Sequence, residues 1–321
     1  MVMIRLVPLY MDRVWGGREL QTRYGRKLPK KELPYGESWE VVDRAGDQSV
    51  VRGGQFDGLT LHELWTGHRA EVFGSHAPEA PRFPLLIKIL DARDTLSLQV
   101  HPPVSEAAAL GGEPKTEMWV IAGAEPGACL YAGVHQGVTR ESFASALTDG
   151  TVASLVHQIS VVQGDSIFIP SGRLHAIGSG LLIYEIQQNS DTTYRVFDWN
   201  RMGLDGKPRA LHVEESLRCI DFTDTAPSLA TVGSDGLLAA CAYFTVHRRQ
   251  AAAGAQKALG IAGDFLMPGM LSGELTVDGD QPLQAGDWAM MPASSGEAER
   301  QVTAGPQGAV WLEVRFGGPG A

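Results

Sequence analysis

The chain has 321 residues, 44% of them apolar and 20% charged, the balance of a folded globular protein with one large or two ordinary domains. Asp and Glu number 37 against 27 for Lys and Arg, a net charge of -10, which excludes broad non-specific nucleic-acid binding because phosphate backbones are held by clustered cations. A small anionic ligand stays open, since two or three cations in one cleft suffice to hold it.

The 38 Gly and 18 Pro predict many turns and short strands. No run approaches the ~20 apolar residues that cross a bilayer. Residues 1–9 carry Arg5 and run into Asp12 and Arg13, without the apolar core of a secretory signal. Cys129, Cys219 and Cys241 are isolated and out of metal spacing, which suits buried thiols in a reducing compartment. A cytoplasmic location is expected, with no membrane partner.

In chain order, Arg5–Tyr10 and Trp39–Val42 are strand-like, and Leu61–Trp65 with Arg69–Phe73 reads as a brief helix. Leu85–Leu90 is the most strand-like run, followed by Leu96–His101 after an Asp-Ala-Arg-Asp turn. Helices are expected at Val104–Leu110, at Thr139–Thr148 with Thr139 as N-cap, and at Val213–Cys219. Residues 223–236 are short-chained and turn-rich, as in a linker. Beyond them Cys241–Arg248, Phe265–Met267, Glu274–Val277, Trp288–Met291 and Ala309–Arg315 read as strands, with a solvent-facing loop between Ala251 and Gly260. One seven-residue frame occurs twice, as Gly164-Asp-Ser-Ile-Phe-Ile-Pro170 and as Gly286-Asp-Trp-Ala-Met-Met-Pro292. The expected fold is therefore all-β, two related antiparallel units with a few short helices, divided as 1–222 and 237–321. Only the first frame runs on to a histidine, His175.

Gln99 and His101 are two apart in a strand-like run, so the strand period puts both on one face. Lys115 and Glu117 alternate just before the apolar Met118–Ile121. On spacing alone they also read as a solvated pair of little energetic weight. His101, Glu117 and His175, with Gln99 as a neutral fourth donor, would offer two nitrogens and two oxygens to one divalent metal, a mixture zinc accepts. A second group lies in 183–199. Glu185 and Gln187 share a strand face, and Arg195 either presents planar donors to a phosphate or carboxylate or forms a surface pair with Asp191 or Asp198. His62, His68, His76, His135, His157, His212 and His247 read as structural or solvent-facing. No dinucleotide fingerprint or nucleophile elbow is present.

Gly164 to His175 resembles the second metal motif of the cupin superfamily. More closely, the chain resembles the short bacterial type I phosphomannose isomerases. The resemblance runs through Arg13-Val-Trp-Gly-Gly17, Gly36-Glu-Ser-Trp-Glu40, Ile87–Leu90, Leu96-Ser-Leu-Gln-Val-His-Pro102, Lys115-Thr-Glu-Met-Trp119, Ile169–Ala176 and Glu185–Arg195, then Asp198–Arg201 and Leu211–Glu214. It implies a catalytic cupin domain over 1–222 and a degenerate cupin-like unit without metal over 237–321. It places one zinc ion per chain on Gln99, His101, Glu117 and His175, and active-site polar roles on Ser97, Lys88, Lys115, Glu185 and Arg195. Pro103-Val104 and Pro114 depart from the family's pattern, and neither removes a ligand.

The implied reaction interconverts mannose 6-phosphate and fructose 6-phosphate through an enediol. Glu185 is the expected acid/base, its carboxyl raised by desolvation. Lys115 and Arg195 are the other catalytic candidates, and Ser97, Lys88, Lys115 and Arg195 bind substrate. The partner is a small phosphorylated sugar, with no nucleic acid, and the chain is expected as a monomer or weak homo-oligomer. Two other readings compete: an iron-dependent double-cupin dioxygenase, and a sugar-phosphate binding protein without turnover.

Overall fold

The computed structural model describes residues 3–278 and 280–318. Strands dominate, and the chain groups into two compact units: Tyr10–Ser38 with Lys88–Ala230, and Met1–Leu9 with Trp39–Ile87 and Thr231–Ala321.

The unit holding Lys88–Ala230 contains an antiparallel five-stranded sheet in the order Val156–Ser160, Cys129–Val134, His175–Ile177, Leu98–Val100, Tyr194–Phe197. A second sheet runs Ser166–Ile169, Glu117–Ala124, Leu181–Gln188, Leu85–Ala92, Leu9–Gly17, Tyr35–Val41. Of its last three strands, residues 88–92, 10–17 and 35–38 belong to this unit. Between the sheets, Trp119, Ile121, Ile167 and Ile183 share a core with Leu130, Ala132 and Ile177. On the outer face of the five-stranded sheet, Leu98, Val100, Ala176 and Val196 pack with Phe143 and Cys219 of the helices Arg140–Asp149 and Val213–Cys219. The pleat therefore splits Leu98-Gln99-Val100 into apolar-out and polar-in. Each fully buried aliphatic side chain is worth about 1.5–3 kcal/mol, so a one-residue slip that drove Gln99 into the outer core is strongly disfavoured.

Local sequence explains the ends of these elements. Thr139 caps its helix by accepting from the Ser142 backbone while Ser142 Oγ accepts from Thr139 N, and Gly150 closes it at φ 72°. The Leu96–His101 run narrows to a strand over Leu98–Val100, and Val104–Leu110 to a helix over Val104–Ala107. The double glycine of the Trp-Gly-Gly segment has a packing cause. A Cβ on Gly16 would lie 2.3 Å from Gly36 N, and one on Gly17 would lie 2.6 Å from the Asp91 carboxylate.

In the other unit the sheet order is Leu237–Ala240, Phe244–Ala251, Gln301–Phe316, Met267–Val277, Leu283–Gln284, and Gln256–Ala258 pairs with Gln301–Phe316. The two short strands expected at Phe265–Met267 and Glu274–Val277 are one continuous strand. The expected loop after Ala251 contains the exposed strand Gln256–Ala258. Trp288–Met291 contributes single bridges to Gly269, Ile4 and Leu266 rather than a ladder. The helices Leu61–Gly67 and Arg69–Phe73 supply Trp65 and Phe73 to an aromatic cluster with Phe83, Phe265 and Phe316, with ring centroids 4.9–6.1 Å apart. That cluster joins 39–87 to the C-terminal stretch, a grouping that departs from the chain-order division at 222 and 237.

The repeated frame is also a repeated geometry. Gly164 N donates to Ile121 O and Gly286 N to Met270 O, both at 2.9 Å, while Ile121 N donates to Asp165 O and Met270 N to Asp287 O, again 2.9 Å. Each Asp carboxylate caps the backbone three residues earlier, Val162 N at 2.8 Å and Gln284 N at 2.9 Å. In the first copy Ile169 lies opposite Glu117, and in the second Met291 lies opposite Leu266. The position that carries a carboxylate in one copy thus carries a fully buried leucine in the other.

Candidate active site

All the predicted site residues fall in the unit holding Lys88–Ala230. Gln99 lies opposite both His175 and Arg195, a three-residue row across adjacent strands. Glu117 lies opposite Ile169 and Gln187, and Trp119 opposite Glu185. His101, just past its strand, is fixed by Nδ1 donating to Thr192 O at 2.9 Å, and His175 by Nδ1 donating to Arg173 O at 2.9 Å. Those bonds assign the lone pair of each ring to Nε2. The two Nε2 atoms lie 3.2 and 4.0 Å from the Glu117 carboxylate. One ligand atom each from His101, Glu117 and His175 falls within a 4.8 Å cluster, and all three residues are buried. Gln99 Nε2 sits 3.3 Å from His175 Nε2, and a turned amide would present Oε1 there instead.

Lys115 and Glu117 are not a solvated surface pair. Lys115 Nζ lies 2.5 Å from Glu117 Oε1, with side chains only 5% and 0% exposed. Burial would lower the Lys115 ammonium, but Glu117 and Glu185 outweigh it, so its pKa is raised and it stays charged. Burial would raise Glu117, but Lys115 and His101 hold it well below the usual carboxylate range. Burial, joined by His101, pushes His175 down to about 3, and burial and Lys115 lower His101. Both rings are therefore neutral, the form in which imidazole ligates a metal. Despite the close ammonium, both Glu117 oxygens are buried without a well-directed hydrogen bond. Such a carboxylate would be costly to bury for its own sake. Two neutral imidazoles, an anionic carboxylate with unused lone pairs and an adjacent amide fit a divalent cation, zinc in particular.

Beside this cluster opens a cavity of about 440 Å³ whose wall includes Ser97, Gln99, Lys88, Lys115, Glu185 and Arg195. Glu185 accepts from Trp119 Nε1 at 3.0 Å and lies 3.4 Å from Lys88. Burial and the nearby Glu117 raise its pKa, against Lys115 and Lys88. A larger hollow of about 620 Å³ around Gly17, Arg23 and Asp91 contains none of the predicted residues. Arg195 does not form the expected surface pair: among the described residues no carboxylate lies within ion-pair distance of it. Asp198 is taken instead by Arg201 and Arg209, at 2.8 and 2.5 Å. His212, read from the sequence as structural or solvent-facing, accepts from Arg195 N through Nδ1 at 3.2 Å and so holds the Arg195 backbone.

Sequence reasoning assigned no role to Arg13, Glu37 or Arg209, which also line the cavity, and read Asp191, another wall residue, only as a surface partner of Arg195. Arg13 and Glu37, paired at 2.7 Å, lie inside the segments that carry the family resemblance, which was the available signal. Arg209 lies in an irregular loop with none.

Residues 3–118 match the family model described as phosphomannose isomerase type I, catalytic domain. The mannose-6-phosphate isomerase ManA of Bacillus subtilis (strain 168) is 36% identical over 305 residues, covering 90% of this chain and 93% of that one. A crystal structure of the mannose 6-phosphate isomerase from Bacillus subtilis superposes with a TM-score of 0.83 at 31% identity, over 98% of this chain and 99% of that one. A mannose 6-phosphate isomerase solved with zinc and yttrium shares the fold, with a TM-score of 0.74 at 16% identity over 99% of this chain and 100% of that one. With near-complete coverage at that identity, and His101, Glu117 and His175 assembled beside a charged cavity, the chain belongs to the mannose-6-phosphate isomerase family.

Proposed function

We propose that the chain interconverts mannose 6-phosphate and fructose 6-phosphate at the cavity beside His101, Glu117 and His175. The observation that carries this is the juxtaposition of that three-ligand cluster with the buried Glu185 in one cationic cavity. The relatives' names favour isomerisation over the iron dioxygenase and the non-catalytic binding protein.

His101, Glu117 and His175, with Gln99 as the fourth donor, would hold one zinc ion per chain. Zinc so held supplies a Lewis acid toward sugar oxygens. Glu185 takes the proton from C2 of the open-chain aldose as O1 gains a proton, giving the enediol. It returns the proton to C1 as the O2 hydroxyl loses its own, giving the ketose, so that overall one proton passes from O2 to O1. Its raised pKa brings a carboxylate base closer to the proton it must abstract and later return. Lys115 stays charged and serves as a fixed donor to the developing oxyanion rather than as a proton source. Trp119 and Lys88 fix the Glu185 carboxylate, and Ser97 and Arg195 contribute further contacts to the sugar phosphate.

The region 237–321 is inferred to be without metal, which Leu266 in the place of Glu117 supports. A cytoplasmic location, a monomeric or weakly associating state, and no nucleic-acid or membrane partner complete the reading. The net charge of -10 supports the absence of a nucleic-acid partner, and among the described residues no helix is long and apolar enough to cross a membrane. Metal analysis of wild type and His175→Ala tests the site. Wild type should carry one zinc, and the variant should lose metal and turnover together. Full metal occupancy in the variant would remove His175 from the ligand set, and a second stoichiometric ion would contradict the metal-free C-terminal region.

A further inference from the structure

The hollow of about 620 Å³ opens on the opposite face of the six-stranded sheet from the catalytic cavity. Side chains alternate between the two faces of a strand, and the two spaces divide them accordingly. Trp15 and Leu90 line the catalytic cavity, whereas Gly16 and Asp91 line the hollow. Its walls come from residues 16–34, 91–93, 123–125 and 180–182, all in the unit holding Lys88–Ala230. Ligand pockets typically span about 300–1,000 Å³, so the space suits a small metabolite.

Two glycines of the wall each seat a charged group. A Cβ on Gly17 would lie 2.6 Å from Asp91 Oδ1, and one on Gly123 would run into Arg23 Nη1. Neither glycine is in the left-handed region, so no backbone conformation demands a glycine at either position. The missing side chains leave room, and a carboxylate and a guanidinium fill it.

The two groups have binding capacity left. Asp91 is buried and accepts from the Glu19 and Leu20 backbone N–H groups, the former at 2.6 Å. An ionised carboxylate offers about four acceptor sites, so it can still take hydroxyl donors. The side chains of Arg23 and Lys31 have no hydrogen-bond or ion-pair partner among the described residues. Of the other cations of the wall, Arg18 is spent on the carbonyls of Lys30 and Leu33, each at 3.0 Å, and Arg93 pairs with Glu125 at 3.7 Å. The hollow therefore joins a fixed acceptor to an unmatched planar donor. That suits a molecule with hydroxyls at one end and an anion at the other. None of the lining residues is aromatic, so no ring is present on which a nucleobase would stack. A sugar phosphate fits better than a nucleotide.

We propose that this hollow is a second sugar-phosphate site, separate from the catalytic cavity, in which Asp91 accepts from the sugar hydroxyls and Arg23, with Lys31, holds the phosphate. The test is isothermal calorimetry with glucitol 6-phosphate, which has no carbonyl and cannot be isomerised. It is run on the zinc-loaded full chain for wild type, Arg23→Met and Gly123→Ala, alongside steady-state kinetics with mannose 6-phosphate. Wild type should bind two equivalents per chain, one in each space. Arg23→Met should weaken one of them roughly 10- to 150-fold, the scale of one charge-assisted hydrogen bond. Gly123→Ala, which displaces the guanidinium without removing it, should weaken the same equivalent, and it carries the test if the methionine variant does not fold. Arg23 lines the hollow and not the catalytic cavity, so kcat, KM and zinc content should stay at wild-type values in Arg23→Met. A binding isotherm unchanged in folded Arg23→Met would overturn the proposal, as would a KM that rises in step with the lost binding. Inorganic phosphate that binds at Arg23 as tightly as glucitol 6-phosphate would overturn the sugar assignment. If the Arg23-dependent equivalent is present but mannose 6-phosphate is not turned over, the second site stands and the isomerase reading fails.

Discussion

Replacing Glu185 by Gln separates chemistry from architecture more cleanly than any other change at the site. The amide is isosteric, and its oxygen can still accept the Trp119 Nε1 proton now bonded at 3.0 Å. Lys88 keeps Glu37 at 3.6 Å, so its ammonium is not left unpaired in the protein interior. Stability should therefore change by less than about 1 kcal/mol, and zinc content should not change at all. Turnover should fall by roughly 10²–10⁴, the usual range for a positioned general base, or about 3–5 kcal/mol of barrier. The pH profile carries a further signature. Burial and Glu117 raise the Glu185 pKa, and the base must be ionised to act. Wild-type kcat should therefore fall as pH drops through that raised value, and the residual rate of the variant should lack this acid limb. A coupled assay for fructose 6-phosphate across pH 5–9, with melting curves and metal analysis on the same samples, reads all three quantities. A folded, zinc-replete Glu185→Gln enzyme within threefold of wild type would place the base elsewhere.

Two further predictions concern the scaffold. Gly16→Ala puts a methyl 2.3 Å from Gly36 N, against backbone that cannot swing aside. It should cost about 1–3 kcal/mol or more in chemical denaturation, and an unchanged midpoint would show that the strands separate freely there. Asp91 is 3% exposed, and burial, partly offset by the Glu19 and Leu20 backbone donors, raises it from 3.8 to about 6. Because the folded state holds that proton more tightly than the unfolded chain, the destabilisation is absent below about pH 3.8 and complete above about pH 6. Asp91→Asn, whose amide oxygen can still accept from Glu19 N, should thus gain up to about 3 kcal/mol over wild type at pH 8 and little at pH 4. A stability difference that does not vary with pH would contradict the assignment.

Much of the site was legible because it is built on strands. Leu98 and Val100 are apolar and Gln99 is not, so the period of two alone put Gln99 and His101 on one face. The Gly-Asp frame located His175 at the end of a turn, and the backbone bonds of Gly164 and Gly286 show that the repeat is structural. Other parts had no such period. The Phe83, Phe265 and Phe316 contacts that join 39–87 to the C-terminal stretch are long-range and apolar, and nothing in the sequence order announces them. Lys115 and Glu117 read equally well as a solvated pair until their burial was known. Asp198 was the natural partner for Arg195 by proximity in the chain. It pairs with Arg201 and Arg209, and the loop after it turns through two left-handed residues, Trp199 and Asn200, of which only the asparagine is a residue that favours that conformation.

The central claim is that this chain moves a proton within a phosphorylated sugar at a metal held by His101, Glu117 and His175. The most direct measurement is fructose 6-phosphate formation from mannose 6-phosphate by the purified chain, before chelation, after chelation and after zinc is returned. Turnover in the first state, its loss in the second and its recovery in the third, with the protein folded throughout, is the expected result. A folded, zinc-loaded protein that forms no fructose 6-phosphate, or one whose turnover persists in full after the metal has been removed, would contradict it.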